Sequence, residues 1–303
     1  MSEVFYQRLQ SLLKREQIRI KEPLASHTTF QIGGPADYFL LPEDESQVAE
    51  AIKLCQEEKM PYFILGKGSN LLVSDKGYRG VIIKLAKNFS RIGIEGSKVT
   101  AQAGASLSEL AEKIAEKSLA GFEFASGIPG TLGGAVTMNA GAYGGEMKDI
   151  ISDATVLDTD GRVHFLEKQE LRLGYRTSII QEEHMVVLSA SFLLKEGKEE
   201  DIRAAIAELT RKREEKQPLE YPSAGSTFKR PEGYFAGKLI MDSGLRGFSI
   251  GNAGVSEKHC GFVINKGGAS ALEIYTLIQE VIRIVYEKQG IRLEPEVRLL
   301  GEF

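Results

Sequence analysis

The stretch Gly127-Ile128-Pro129-Gly130-Thr131-Leu132-Gly133-Gly134-Ala135 runs on to Asn139-Ala140-Gly141-Ala142-Tyr143-Gly144-Gly145, and it holds the densest clustering of the chain's 32 glycines. Glycine lets a backbone take positive φ and approach a ligand closely. Successive N–H groups in such a loop form an anion-holding concavity, strongest at a helix N-terminus. A second cluster, Leu65-Gly66-Lys67-Gly68-Ser69-Asn70-Leu71, lies between two apolar runs. Leu71 stands where GxGxxG needs its third glycine, and neither cluster fits GxxxxGK[ST], so spacing excludes a Rossmann or P-loop assignment. Either cluster alone reads equally well as a tight turn. Two of them, with Ser69, Asn70, Thr131 and Asn139 as side-chain donors, read as a bound diphosphate.

Composition sets the frame around those loops. The chain has 303 residues, with 38 Lys+Arg against 42 Asp+Glu, a formal net charge of −4. At 42% hydrophobic and 26% charged it matches an ordinary soluble globular protein of two or three domains, which excludes intrinsic disorder. Mild acidity argues against a nucleic-acid or anionic-membrane partner and leaves room for a local basic pocket. Cys55 and Cys260 lack CxxC spacing, and Cys55 follows Val48 and Ile52 at helical spacing, as a packed small hydrophobe does. The N-terminal MSEVFYQRLQSLLKREQ is an amphipathic helix without an apolar signal core, and no run approaches the ~20 residues of a membrane span. A cytoplasmic protein is expected. His27, His164, His184 and His259 show no metal-ligand spacing, so no metal is expected.

Helical periodicity marks 4–17, 44–59, 106–117, 199–214 and 270–289. The last opens on a Ser270/Glu273 capping box, carries Ile274, Leu277, Ile278, Val281, Ile282 and Val285 as its stripe, and stops at Gly290. Strands are predicted at 62–65, 81–85 and 184–195, and the run ATVLDTDGRVHFL reads as a hairpin turning at Asp160-Gly161. The charged KEGKEED after 195 marks a seam. The expected class is α+β, with one domain over 1–198 (subdomains about 1–87 and 88–198) and a smaller one over 199–303.

Three polar segments remain. Leu173-Gly174-Tyr175-Arg176-Thr177-Ser178 offers a guanidinium fork suited to a carboxylate or enolate, although a surface arginine reads as well. Ser223-Ala224-Gly225-Ser226-Thr227-Phe228-Lys229-Arg230-Pro231 is a small-residue loop ending in two cations; it lacks the GxSxG elbow, so hydrolase chemistry has little support. In Leu293-Glu294-Pro295-Glu296-Val297-Arg298-Leu299-Leu300-Gly301, Pro295 forces an extended entry. Alternation through Val297 and Leu299 predicts a strand with Glu294 and Glu296 on one face. A carboxylate near a core strand calls for a partner or a role.

Taken together, GKGSNLLVSD (66–75), GIPGTLGGAVTMNAGAYGGE (127–146), GYRTS (174–178), SAGSTFKRP (223–231) and LEPEVRLLG (293–301) resemble, in this order, the UDP-N-acetylenolpyruvoylglucosamine reductase family. The resemblance runs from HTTFQIGGPADY at 27–38 to the C-terminus; GIPGTLGG alone would indicate only the wider group of flavoproteins with the vanillyl-alcohol-oxidase (PCMH) type of FAD-binding domain. It implies such a domain followed by a smaller substrate-binding domain, a non-covalent FAD, and NADPH as co-substrate. It implies Arg176, Ser226 and Glu296 as catalytic residues. For the FAD it implies Gly66, Gly68, Ser69, Asn70, Leu71, Gly130, Thr131, Gly133, Gly134, Ala135, Asn139 and Gly141. Tyr143, Tyr175, Lys216, Arg230, Lys238 and His259 are weaker candidates for substrate or NADPH phosphate contacts, each also readable as a surface residue. The short stretch from Arg176 to Ser226 resembles the subtype without the inserted tyrosine loop, and Arg230 stands where the better-known subtype carries asparagine. No obligate protein partner is implied. The glycine loops by themselves also fit a flavin oxidase acting on a sugar or alcohol, or a nucleotide-binding module without turnover; both leave the C-terminal motifs unexplained.

Overall fold

The computed structural model describes residues 3–303, and these form two compact units. The first holds the chain up to Arg19 together with Tyr38–Gly66 and Gly80–Arg213; the second holds Ile20–Asp37, Lys67–Arg79 and Glu214–Phe303. The division is therefore not the expected one at 198/199. Segments 20–37 and 67–79 belong to the second unit because Phe30, Ile32 and Leu72 are part of its core. The charged run after 195 is not a seam either. It leads into the helix Glu199–Lys216, whose Arg203 donates to Glu112 at 2.6 Å and so ties the helix start to the first unit.

In the first unit the helix Glu45–Glu57 starts at Asp44, whose carboxylate accepts the Gln47 N–H at 2.8 Å. It buries Val48, Ala51, Ile52, Leu54 and Cys55. Burial pushes the Cys55 thiol up to about 12, so it packs as a small apolar group, unable to form a thiolate at neutral pH. Strand Tyr62–Leu65 runs parallel to Tyr78–Lys84, with Ile64 opposite Ile83. A five-stranded antiparallel sheet follows in the order Val163–Glu167, Ile151–Leu157, Val186–Leu193, Lys98–Gln102, Ile92–Glu95. Its first pair is the hairpin predicted from sequence, with Leu157 opposite Val163 and Gly161 at φ +78° in the turn. The short helix Leu132–Thr137 lies against strand Val186–Leu193.

The second unit is built around the helix Ala271–Gln289, which has the expected Ser270/Glu273 capping box and a left-handed Gly290 at its end (φ +70°). It buries Ile274, Leu277, Ile278, Val281 and Val285 and packs on the strands Ser249–Ile250, Ala253–Val255 and Val263–Asn265. Strand Leu71–Val73 pairs in parallel with Arg298–Leu300, so the end of the 65–71 glycine cluster and the C-terminal strand form one ladder. Along that strand Val297 and Leu300 are buried while Leu299 is 46% exposed. The predicted Val297/Leu299 alternation therefore fails, because the ladder begins only at Arg298 and Leu300 takes the inward place. No helix among the described residues is long and apolar enough to cross a membrane.

Asp75, just beyond strand Leu71–Val73, accepts the N–H groups of Ala271 and Leu272 at 2.8 and 3.1 Å, joining the strand to the helix N-terminus. A carboxylate there is favoured by the unpaired first-turn N–H groups and the helix dipole. Asp75→Ala should lower unfolding stability by about 1–2 kcal/mol, a typical loss for a removed helix cap, in urea titrations read by circular dichroism. Asp75→Asn should recover part of it. An Asp75→Ala variant as stable as the parent would show that the contact contributes nothing.

Candidate active site

Gly66 and Gly133 of the first unit are set by contact within the protein. A Cβ built on Gly66 would stand 2.4 Å from Thr131 Oγ1, so this glycine is what lets the two loops meet. Thr131 is 3% exposed and precedes the helix Leu132–Thr137. A Cβ on Gly133 would fall 2.8 Å from that of Ala103, while Gly133 N–H donates to the Ala103 carbonyl at 2.8 Å. Leu132 N–H donates to Ala105, and the Gly130 carbonyl accepts from Leu107. Ala135 is buried, its N–H on the Thr131 carbonyl. At Gly134 the space is open, with only Thr131 Oγ1 at 3.8 Å. A loop pinned on its inner side and open at Gly134 fits a diphosphate laid along its outer side.

Asn139 is only 1% exposed and left-handed (φ +42°). Its Nδ2 donates to Glu146 Oε2 at 2.6 Å and to the Gly174 carbonyl at 2.9 Å, and its Oδ1 accepts the Lys148 N–H at 2.9 Å. The amide has no proton left for a cofactor; its work is to hold the strand pair Gly141–Ala142/Gly145–Glu146 against the turn at 174. That turn is closed by Gly174 and Thr177, which exchange hydrogen bonds at 3.1 and 3.4 Å. Arg176 sits inside it at φ +56°, an unfavourable region for an arginine. Ser178 Oγ and Gln181 Nε2 both bond the Thr137 carbonyl, and Gln181 also bonds the Arg176 carbonyl. Arg176 also lies over the exposed Tyr175 ring, 5.2 Å from its centroid.

In the second unit the motif 222–229 is hydrogen-bonded along both edges. On one side Asn265 N–H donates to Pro222, Thr227 N–H to Gly261 at 2.8 Å, and Val263 N–H to Thr227 Oγ1 at 2.9 Å. On the other, Lys229 N–H donates to Glu294 and Glu296 N–H to Thr227, the latter at 2.8 Å. Thr227 is fully buried, while its neighbour Ser226 is exposed. Ser226 and Glu296 are thus brought onto adjacent, hydrogen-bonded segments. The two acids of the C-terminal motif are told apart here: Glu294 is exposed and paired with Lys229 Nζ, whereas Glu296 is half-buried.

The rest of the 65–71 glycine cluster, from Lys67 on, lies in this same unit. A Cβ on Gly68 (φ +65°) would fall 2.4 Å from the His27 carbonyl, so glycine is required there. Ser69 is half-buried and Leu71 is buried as the first residue of its strand. Asn70 Nδ2 donates to the Glu296 carbonyl at 3.1 Å.

The weaker candidates divide. His259 is half-buried next to the 227 motif, its Nδ1 accepting the Gly261 N–H at 3.1 Å, and burial holds its pKa below the usual 6.5. Arg230 stacks on Phe235 at 4.0 Å and donates to the Tyr234 carbonyl. Lys238 forms an exposed pair with Asp242, and Lys216 is exposed at the end of its helix. Tyr143, exposed and left-handed (φ +53°), interacts with Arg213. Arg213 escaped the sequence reading. Its guanidinium is half-buried, with a pKa lowered by burial, and its Cδ lies 3.3 Å from a Cβ built on Gly127, beside the glycine loop. In sequence it sits within TRKREEK, which looks like any solvated helix face. Among the described residues no group of three or more His, Cys, Asp or Glu is placed to hold a metal.

These features define a flavoprotein of the FAD-binding-domain class: residues 36–167 match the FAD binding domain family. The fold is also similar to that of 4-ethylphenol oxidase from Gulosibacter chungangensis, at 14% identity and TM-score 0.50, covering 64% of this chain and 43% of that one. Residues 217–300 match the C-terminal domain of UDP-N-acetylenolpyruvoylglucosamine reductase. The chain is 56% identical to the UDP-N-acetylenolpyruvoylglucosamine reductase of Lachnoclostridium phytofermentans, with 100% of this chain and 99% of that protein covered. It is 50% identical to that of Caldanaerobacter subterraneus over the full length of both. The crystal structure of the reductase from Thermus caldophilus matches at TM-score 0.80 and 35% identity, covering 94% of this chain and all of that one. The chain belongs to the UDP-N-acetylenolpyruvoylglucosamine reductase family.

The His259 environment has a pH signature. A histidine in the unfolded chain takes up its proton near pH 6.5, whereas the folded ring resists it to lower pH, so its share of the stability is complete above 6.5 and is lost as pH falls below that value. In His259→Asn, whose side-chain oxygen can still accept the Gly261 N–H, urea midpoints compared at pH 8 and pH 5.5 should fall less on acidification than in the parent. Equal losses would show that His259 does not contribute to the acid limb.

Proposed function

We propose that the protein reduces UDP-N-acetylglucosamine enolpyruvate to UDP-N-acetylmuramate with NADPH, through a bound FAD, as a cytoplasmic step of peptidoglycan precursor synthesis. The observation that carries this reading is the pairing of Ser226 and Glu296 on adjacent hydrogen-bonded segments within residues that match the reductase C-terminal domain. An oxidase acting on a sugar or alcohol would leave those residues without a task.

The loop at Gly66 and the loop Gly130–Ala135, which meet at Thr131 Oγ1 and leave space at Gly134, fit the diphosphate of an FAD. Arg213 adds a charge beside Gly127 in the same unit, and Ser69 is carried over from the family resemblance. When bound, FAD supplies a hydride that NADPH provides and C3 of the enolpyruvyl group receives.

Addition at C3 drives negative charge onto C2 and the adjacent carboxylate. Arg176 carries a planar guanidinium fork suited to giving that carboxylate two parallel N–H donors. Glu296, protonated or sharing a proton, gives a further hydrogen bond. Preorganised donors of this kind are typically worth about 3–4 kcal/mol each in the transition state. Ser226 Oγ then gives its proton to C2, completing the addition of one hydride and one proton across the double bond. A serine hydroxyl is a weak acid, so it acts on a carbanion that is already basic, and its placement matters more than its acidity. Lys229 and Arg230, which follow Ser226 in sequence, are the cations assigned to help the hydroxyl that becomes alkoxide, although Lys229 is paired with Glu294 and Arg230 stacks on Phe235.

Ser226→Ala tests this assignment. Rapid-mixing absorbance should show flavin bleaching by NADPH at close to the parental rate, and reoxidation by the enolpyruvyl sugar nucleotide slowed about 10²–10⁴-fold, the usual contribution of a general acid. Reoxidation within threefold of the parent would remove Ser226 from the proton-donor role.

A further inference from the structure

We propose that Asn70 is a positioning residue for Glu296. It lies in the glycine cluster that the sequence assigns wholly to cofactor binding, yet its side chain reaches the catalytic strand. The inference rests on the reading that Glu296 is catalytic.

Two hydrogen bonds join this one residue to the C-terminal segment. Asn70 Nδ2 donates to the Glu296 carbonyl at 3.1 Å, and the Asn70 carbonyl accepts the Arg298 N–H at 3.1 Å. The second begins the parallel ladder in which Leu71, Leu72 and Val73 stand opposite Arg298, Leu299 and Leu300. The first extends that ladder by side chain to a residue that main-chain pairing does not reach. Glu296 needs the extension because the regular parallel strand begins only at Arg298. On the opposite edge Glu296 N–H is donated to Thr227. The Glu296 main chain is thereby fixed on both edges, by Thr227 next to Ser226 and by Asn70 next to Ser69. A carboxyl that must meet charge developing on a substrate works only if its Cα is held within a few tenths of an ångström.

The contact also gives the glycine cluster a second duty. Residues 68–70 run from Gly68, packed on the His27 carbonyl, to Asn70 on Glu296. A residue that served only as a cofactor ligand would act through FAD affinity. A positioning residue acts in the step where the substrate becomes charged.

Asn70→Asp is nearly isosteric and sets a carboxylate oxygen against the Glu296 carbonyl. Asn70→Ser is the milder variant; it keeps the main-chain bond to Arg298 while its hydroxyl is too short to reach Glu296. Both would be purified as holoenzymes, with the flavin-to-protein ratio measured first, and then followed through two half-reactions by rapid mixing. In both variants reoxidation by the enolpyruvyl sugar nucleotide should fall at least tenfold further than reduction by NADPH does, with the flavin ratio kept. The proposal is overturned if the two rates fall in proportion, if only the thermal midpoint moves, or if flavin is lost while the loaded fraction reoxidises at the parental rate. Should Asn70→Asp not fold, Asn70→Ser carries the same comparison. A parent enzyme that is bleached by NADPH and not reoxidised by this substrate would instead contradict the proposed function.

Discussion

The Glu296 peptide is the joint that holds the hydrogen-bonded segments of the second unit together. Its N–H is spent on Thr227 and its C=O on Asn70, so three segments distant in sequence are fixed at one residue. Each buried main-chain group of this kind must find a partner, because leaving one unmade costs about 1–3 kcal/mol. Here that requirement also orders the site. Residues 263–265, 222–229, 294–300 and 70–74 form a continuous hydrogen-bonded ribbon, ending where Ser74 N–H donates to Leu300 and its Oγ to Glu302. Ser226 rides on that ribbon, exposed, next to the buried Thr227.

The first unit reaches the same result by another route. Its arginine is held in a left-handed turn that Asn139, Ser178 and Gln181 brace from the helix Leu132–Thr137 and the residues after it. The glycines at that helix permit close packing within the protein as much as room for a ligand: Gly66 accommodates Thr131, and Gly133 accommodates Ala103. A side chain at either position would push the loop off its support before it touched any cofactor.

Much of this was legible in the sequence where the signal is local. The helix Ala271–Gln289 announces itself by its capping box, its apolar stripe and its terminal glycine, and the Asp160-Gly161 hairpin by its turn. What was not legible is non-local. Nothing in residues 20–37 or 67–79 says that Phe30, Ile32 and Leu72 pack in a core formed mostly after residue 214. Nor does spacing distinguish Glu294 from Glu296, since the difference lies in the Lys229 pair and the Thr227 bond. Asn139 reads as a ligand because its donors look available, and only the structure shows them taken by Glu146 and Gly174. Arg213 has the opposite history, a residue of a charged helix face that turns out to be half-buried beside Gly127.

The measurement that bears most directly on this account is an anaerobic visible spectrum of the purified parent protein, taken before and after NADPH and then after UDP-N-acetylglucosamine enolpyruvate. The account predicts flavin bands that bleach with the first addition and return with the second, with UDP-N-acetylmuramate recovered in an amount equal to the flavin reoxidised. A protein that takes up no FAD, or one whose bleached flavin is restored by oxygen and not by the enolpyruvyl sugar nucleotide, would contradict it.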